Sequence, residues 1–182
     1  MKNEILILID IQNMYFAKGA YRLHEPEKTA KKAAIILKKF RNDHKPIIHI
    51  KHMFNISENP NGDYLLEFNE AVMPQKDEVI LTKNYPNAFF KTDLKNVLDG
   101  LQATNLVIIG MMSHMCIDTT VRAAQNYNYK IIVVDDACTT MDLKWKGEKI
   151  AAKIIHNSIM ASLNGVFADV VTATDYLYTK NI

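Results

Sequence analysis

The feature of this sequence that most limits its fold is a series of short, almost wholly apolar runs separated by longer amphipathic segments. Such runs are typical of strands buried on both faces of a parallel sheet. Apolar residues at three-to-four spacing between them predict helices. The pattern predicts an α/β fold with an open, doubly wound, mainly parallel six-stranded sheet and helices on both faces. The predicted strands are residues 5–9, 46–50, 78–81, 106–109, 131–134 and 166–171.

Helices are predicted at residues 26–41, 93–98, 116–126 and 147–163. The stretch from residue 52 to residue 77 interrupts this alternation with turn signals and mixed polarity, and a long excursion of this kind is often functional. Its apolar side chains predict an exposed surface arm that contacts a second copy of the chain. These side chains are Tyr64, Leu65, Leu66 and Phe68.

Length and charge restrict the classes of function. The 182 residues, of which 48% are hydrophobic, suit one domain spanning residues 1–182. A net charge of +2 disfavours nucleic acid and anionic membrane as partners. The first apolar run has five residues, fewer than the roughly 7–15 of a signal peptide, and no run approaches the ~20 of a membrane helix. A cytoplasmic protein is therefore expected.

Candidate chemistry follows the predicted strands, because ligands of such sheets bind beyond the carboxyl ends of the strands. Asp10, His52 and Lys83 follow the first three strands, and Cys116 closes the loop after the fourth. A helix N-terminus and a nearby cation lower the pKa of a thiol, so Cys116 is expected to be an activated nucleophile. Asp10 could pair with Lys83 and act as the general base.

Other classes of protein share parts of this pattern with a thiol hydrolase. A buried lone cysteine is often inert packing, and a flavodoxin-like binding or signalling module has the same fold. A phosphate site would need a glycine-rich turn after the first strand, where this chain has residues 10–16, DIQNMYF. A serine hydrolase would need a G-x-S-x-G elbow, which the sequence lacks.

Six segments in the same order along the chain resemble the isochorismatase-like cysteine hydrolase superfamily, which includes nicotinamidases and N-carbamoylsarcosine amidase. They resemble its first-strand motif, its lysine motif, its nucleophile loop and helix, and two later landmarks. The segments are 8–13 (LIDIQN), 82–89 (TKNYPNAF), 110–116 (GMMSHMC), 119–124 (TTVRAA), 135–140 (DDACTT) and 167–172 (FADVVT).

The resemblance implies a catalytic triad and a reaction. Asp10 would deprotonate Cys116, Lys83 would stabilise the thiolate, and the sulfur would attack the carbonyl carbon of a small carboxamide to give a thioester. A cis peptide bond between Met111 and Met112 would shape an oxyanion hole whose donors are the amides of Met112 and Cys116. The family also implies a homo-oligomer, a dimer or a tetramer.

This sequence departs from the nicotinamidase pattern at the metal-binding motif. Nicotinamidases carry an Asp-x-His metal motif after the second strand, where this chain has His52 and Phe54, so neither a metal nor another cofactor is predicted. The alternatives left open are an isochorismatase-type vinyl ether hydrolase and a non-catalytic binding or redox-sensing module. The predicted substrate-contacting residues are Gln12, Tyr15, Phe16, His52, Phe54, Phe89 and His114.

Overall fold

A six-stranded parallel sheet forms the centre of the computed structural model, which describes residues 3–19, 21–54 and 61–179. The strands are β1 (Glu4–Ile9), β2 (Ile47–His52), β3 (Val79–Lys83), β4 (Asn105–Met111), β5 (Lys130–Thr139), β6 (Leu143–Trp145), β7 (Glu148–Ile150) and β8 (Asp169–Val171). Strands β6 and β7 form a separate antiparallel hairpin, and the other six lie in the order β3–β2–β1–β4–β5–β8 with every neighbouring pair parallel. The predicted α/β sheet is confirmed.

Helices cover both faces of this sheet. They are α1 (Pro26–Asn42), α2 (Gly62–Leu66), α3 (Leu94–Gly100), α4 (Asp118–Gln125), α5 (Ala152–Leu163) and α6 (Ala173–Thr179). Apolar side chains of α1 and α6 belong to one core cluster, and those of α3, α4 and α5 belong to the other. Among the residues that the structure describes, no helix combines the length and apolar character needed to span a membrane.

The central strand β1 shows why its apolar residues run without interruption. Leu6 and Leu8 point into the cluster with α1 and α6, whereas Ile5, Ile7 and Ile9 point into the cluster with α3, α4 and α5. Each of these side chains is at most 1% exposed. Successive side chains of a strand face opposite sides of the sheet, so a strand covered on both sides must be apolar at every position.

The strand order changes direction between β1 and β4, and this switch point creates a crevice at their carboxyl ends. Gly110 lies there with φ +132°, and a Cβ at this position would lie 2.0 Å from the carbonyl oxygen of Ile9. Only glycine therefore allows β4 to approach β1 this closely where the catalytic candidates emerge.

Several predicted elements have different bounds in the structure. The helix predicted from residue 147 begins at Ala152, because the preceding residues form the β6–β7 hairpin around Gly147, whose φ is +87°. The helix predicted from Cys116 is preceded by a π-helical turn, Ser113–Ile117, and α4 begins at Asp118. The predicted strand 166–171 is shortened to β8.

The excursion after β2 packs against its own chain. It contains α2 and a 3₁₀ turn at Glu70–Val72, while residues 55–60 lie outside the described ranges. Leu65 and Phe68 are buried, and Phe68 forms a β-bridge with Gln12. The prediction of an exposed apolar cluster was therefore wrong for these two side chains, although Tyr64 is 52% exposed.

Candidate active site

The ammonium group of Lys83 is the centre of a buried polar cluster at the carboxyl edge of the sheet. Its Nζ lies 2.6 Å from Oδ2 of Asp10 and 2.7 Å from Nδ1 of His52, and it donates a hydrogen bond of 3.2 Å to Sγ of Cys116. All four residues are at most 8% exposed. The structure thus brings together the three predicted catalytic residues and adds His52 to them.

Strand β1 delivers Asp10 to this cluster through an unusual backbone conformation. Asp10 has φ +53°, in the left-handed region, which aspartate tolerates better than most residues. Its amide donates to the carbonyl of Ile50 and its own carbonyl accepts from the amide of Gln12, so the turn is held on both sides. Oδ1 of Asp10 is buried and has no hydrogen bond to a described residue. This oxygen is therefore available to accept a proton.

The side chain of Gln12 forms hydrogen bonds with backbone groups next to the site. Its side-chain NH₂ group donates to the carbonyls of His52, at 3.0 Å, and Leu66, at 2.8 Å. Its Oε1 accepts a hydrogen bond of 2.8 Å from the amide of His52. Because backbone groups occupy both ends of this amide, Gln12 holds the end of β2 and the excursion against β1 and is not placed to bind substrate.

Cys116 lies in the π-helical turn that follows β4. The Met111–Met112 peptide bond is cis, and the carbonyl of Met112 accepts hydrogen bonds from the amides of Met115 and Ile117. This loop holds Sγ beside Lys83, at the switch point between β1 and β4. The backbone amides of Met112 and Cys116 belong to the same short loop.

The thiol of Cys116 is neutral in the resting site, contrary to the expectation of a lowered pKa. Burial raises its pKa to about 12, and the negative charge of Asp10 acts in the same direction. Lys83 lowers the pKa but does not outweigh these two effects. Since α4 begins only at Asp118, Cys116 is not its first residue and lies in the turn before it. The nucleophile therefore needs a base at the time of reaction.

The imidazole of His52 is held as an acceptor for Lys83. Phe54 stacks on it, with ring centroids 4.0 Å apart and an interplanar angle of 14°. Because the ammonium has only donors, Nδ1 must be unprotonated and Nε2 carries the hydrogen. His49 faces the other side of β2, where its Nε2 lies 2.8 Å from Glu78. The two histidines consequently cannot bind one metal ion.

Aromatic side chains form a wall next to this cluster. Tyr15, in the 3₁₀ turn Asn13–Tyr15, contacts the ring of Phe54 edge to face at a centroid distance of 6.5 Å. Phe16 is buried in the same apolar cluster, which also includes the partly buried Met112. The rings of Tyr15 and Phe54 thus lie beside His52, where the sequence predicts a substrate pocket.

Two of the predicted substrate-contacting residues have other surroundings. The ring of Phe89 packs on Tyr127, 5.1 Å away, and Tyr127 follows the far end of α4. Phe89 is also partly buried against the apolar cluster of α3, α4 and α5. Nδ1 of His114 is hydrogen-bonded to the hydroxyl of Thr140, the residue that follows β5.

Asp10, His52 and Cys116 are also a possible metal-ligand set, since their ligand atoms lie within 4.8 Å of one another. The ammonium of Lys83 lies 2.6, 2.7 and 3.2 Å from these same groups, so it already takes the place of a cation. A divalent ion would have to share the cluster with this charge, which is electrostatically unfavourable. The residues present do not fit a metal.

We therefore expect EDTA to leave both the melting temperature and any hydrolytic activity of this protein unchanged. The physical reason is that Lys83, a covalently attached cation, neutralises Asp10 without a metal. Thermal unfolding and activity should be measured on untagged protein with and without chelator. Stoichiometric zinc or iron in elemental analysis, lost together with activity on chelation, would contradict this expectation.

Comparisons with known proteins agree with this architecture. Residues 4–175 match the family model described as the isochorismatase domain. The fold and this match place the chain among the isochorismatase-like α/β hydrolases. The uncharacterized isochorismatase family protein YddQ of Bacillus subtilis is 43% identical over 176 residues, covering 94% of this chain and 97% of YddQ. The chain belongs to the isochorismatase family.

Two further relatives are a protein of known structure and an enzyme of known activity. An isochorismatase from Pseudomonas putida KT2440, known from its crystal structure, is 33% identical, superposes with a TM-score of 0.89, and is matched over 96% of this chain and 91% of its own. The maleamate amidohydrolase of Pseudomonas putida is 30% identical over 114 residues, which are 63% of this chain and 49% of that enzyme.

Proposed function

We propose that this protein is a cysteine amidohydrolase that cleaves the C–N bond of a small carboxamide through a thioester on Cys116. The observation that carries this proposal is the position of the Lys83 ammonium, 2.6 Å from Asp10 and 3.2 Å from the sulfur of Cys116. This arrangement supplies a nucleophile, a base and a fixed cation in one water-poor place. The similarity to maleamate amidohydrolase supports an amide substrate.

The first half-reaction begins with proton transfer from Cys116 to Asp10. As the S–H bond breaks, Sγ forms a bond with the carbonyl carbon, and the π electrons of the C=O bond move onto oxygen. The amides of Met112 and Cys116 are the proposed donors to this oxyanion, an interaction that typically contributes several kcal/mol to acyl transfer. The C–N bond then breaks, the proton on Asp10 passes to nitrogen, and ammonia leaves.

The second half-reaction hydrolyses the thioester. Asp10 takes a proton from water, and the oxygen of this water adds to the thioester carbonyl. Collapse of the tetrahedral intermediate breaks the C–S bond and releases the acid, while the sulfur regains the proton from Asp10. Lys83 keeps its three hydrogens and holds Asp10 and the sulfur in place throughout. His52 accepts one of these hydrogens and so fixes the direction of the ammonium.

The test of this function is turnover of a panel of small carboxamides with detection of released ammonia. We expect at least one neutral, aliphatic or short-chain amide to be hydrolysed with stoichiometric formation of the acid. Release of pyruvate from a vinyl ether substrate, with no ammonia from any amide, would favour the second candidate, an isochorismatase-type hydrolase. The similarity to the isochorismatase of Pseudomonas putida keeps this candidate open.

Assembly into a homo-oligomer stays a prediction, as does the cytoplasmic location. Leu65 and Phe68 are buried and do not support the predicted contact between copies of the chain. Exposed apolar side chains are better candidates for this contact, and one of them is Trp145 on the β6–β7 hairpin, which is 69% exposed. Light scattering at micromolar concentration should give at least twice the 20.8 kDa of one chain. A mass of one chain would contradict it.

A further inference from the structure

The phenolic hydroxyl of Tyr15 is a buried polar group with no hydrogen bond to any described residue. The side chain is 1% exposed. Buried polar groups in native proteins are almost always hydrogen-bonded, so an unpartnered one calls for an explanation. By contrast, the hydroxyl of Tyr176, also buried, donates to Glu4 at 3.2 Å. The lack of a partner at Tyr15 thus distinguishes it from a buried tyrosine that serves the scaffold.

The position of this hydroxyl suggests what its partner is. Tyr15 lies five residues after Asp10, and its ring contacts Phe54, which stacks on His52 beside Lys83. Desolvation raises the pKa of the phenol, and the nearby negative charge of Asp10 raises it further. The phenol therefore keeps its proton at neutral pH and has a hydrogen to donate.

Charge restricts the chemical class of the partner. The ionisable groups that act on the pKa of Tyr15 are Asp10, Cys116 and Tyr21, none of which is a cation. A carboxylate bound at the hydroxyl would find no cation among these groups, and its burial there would carry a large desolvation cost. A neutral acceptor such as a ketone or amide oxygen meets neither obstacle.

We propose that the Tyr15 hydroxyl donates a hydrogen bond to a second, neutral carbonyl oxygen of the substrate and thereby selects small carboxamides that carry one. This inference rests on the proposed amidohydrolase function, because it places the scissile amide at Cys116. Tyr15 is in this view a specificity-determining residue that touches the part of the substrate distant from the reacting carbon.

A matched pair of probes isolates this interaction. 4-Oxopentanamide and pentanamide have chains of equal length and differ in one ketone oxygen. We expect the wild-type protein to favour the oxo-amide in kcat/KM, and Tyr15→Phe to reduce this preference about tenfold, the typical effect of one neutral hydrogen bond. The rate with pentanamide should change much less, because the phenyl ring and the site around Cys116 are kept.

The urea midpoint of unfolding provides an independent test. If Tyr15 stabilised the fold through its hydroxyl, Tyr15→Phe would lower this midpoint. Tyr15→Phe removes a hydroxyl that has no partner, so its urea midpoint should equal or exceed that of the wild type. Tyr176→Phe removes a bonded hydroxyl and should lower the midpoint. Tyr178→Phe, at a side chain 70% exposed, is the control and should leave both midpoint and substrate preference unchanged.

The outcomes separate this inference from the proposed function. Equal loss of activity with both amides in Tyr15→Phe, or a midpoint lowered as in Tyr176→Phe, overturns the substrate hydrogen bond while leaving amide hydrolysis intact. If neither amide is hydrolysed, binding of 4-oxopentanamide to wild type and Tyr15→Phe is compared by calorimetry. Equal affinity for the two proteins then overturns the inference, and at least fivefold weaker binding to Tyr15→Phe supports it, whatever the reaction at Cys116.

Discussion

Replacement of Cys116 by alanine should reduce amide hydrolysis to the background rate, because no other thiol lies in the polar cluster of the described residues. With wild-type protein, hydroxylamine added to any accepted amide should give the hydroxamate at the expense of the acid, since a thioester can be intercepted by a better nucleophile than water. The variant should form neither product. Coupled ammonia and hydroxamate assays measure both results.

Cys138→Ala is the matched control for this experiment. Cys138 is also buried, and burial raises the pKa of its thiol to about 12, as it does for Cys116. It lies on β5 and has no hydrogen bond to Lys83. The control should retain turnover and hydroxamate formation. Persistence of turnover in Cys116→Ala would exclude covalent catalysis, and vinyl ether hydrolysis would then become the preferred function.

Asp10→Asn should lower kcat/KM by about 100- to 10,000-fold, the usual cost of removing a general base. The loss should affect both half-reactions, because the resting thiol has a pKa of about 12 and water needs the same base. Steady-state kinetics on one substrate, with the ratio of hydroxamate to acid formed in the presence of hydroxylamine, would measure the loss in each half-reaction. Asp99→Asn, an exposed aspartate paired with Lys95 on α3, is the matched control and should have wild-type kinetics.

Folding of the Asp10→Asn variant must be measured alongside its kinetics. Removing one partner of a buried ion pair leaves the other charge uncompensated, which costs about 3–5 kcal/mol in typical cases. Circular dichroism and urea unfolding give the folded fraction under assay conditions, and rates are then expressed per folded molecule. A corrected rate within tenfold of the wild type would contradict the assignment of Asp10 as the base.

The main elements of the fold and the three proposed catalytic residues could be predicted from the sequence because both follow from local patterns. Continuous apolar runs indicate buried parallel strands. Asp10 directly follows the first of these runs, and Lys83 lies two residues after the third. The contact between His52 and Lys83 was not predicted, since the second strand was expected to end at residue 50. Strand β2 continues to His52, which pairs in register with Lys83 of β3.

Other features depend on contacts between distant parts of the chain. The side-chain amide of Gln12 forms hydrogen bonds with backbone groups of residues 52 and 66, and no local sequence pattern predicts these contacts. The raised pKa of Cys116 follows from how deeply the loop is buried, which its sequence position does not reveal. The three-residue strands of the β6–β7 hairpin are too short to show a period of two, so the sequence predicts neither strand and extends a helix over β7.

The position of β3 at the margin of the sheet has a consequence for how the protein loses activity. Lys83 ends this edge strand, which among the described residues pairs only with β2. Edge strands fray at lower free energy than central ones, because fewer hydrogen bonds and apolar contacts must be broken. Detachment of β3 would withdraw the only positive charge bonded to Asp10 among the described residues while β1, β4 and β5 remain assembled. Loss of activity on heating should thus precede global unfolding.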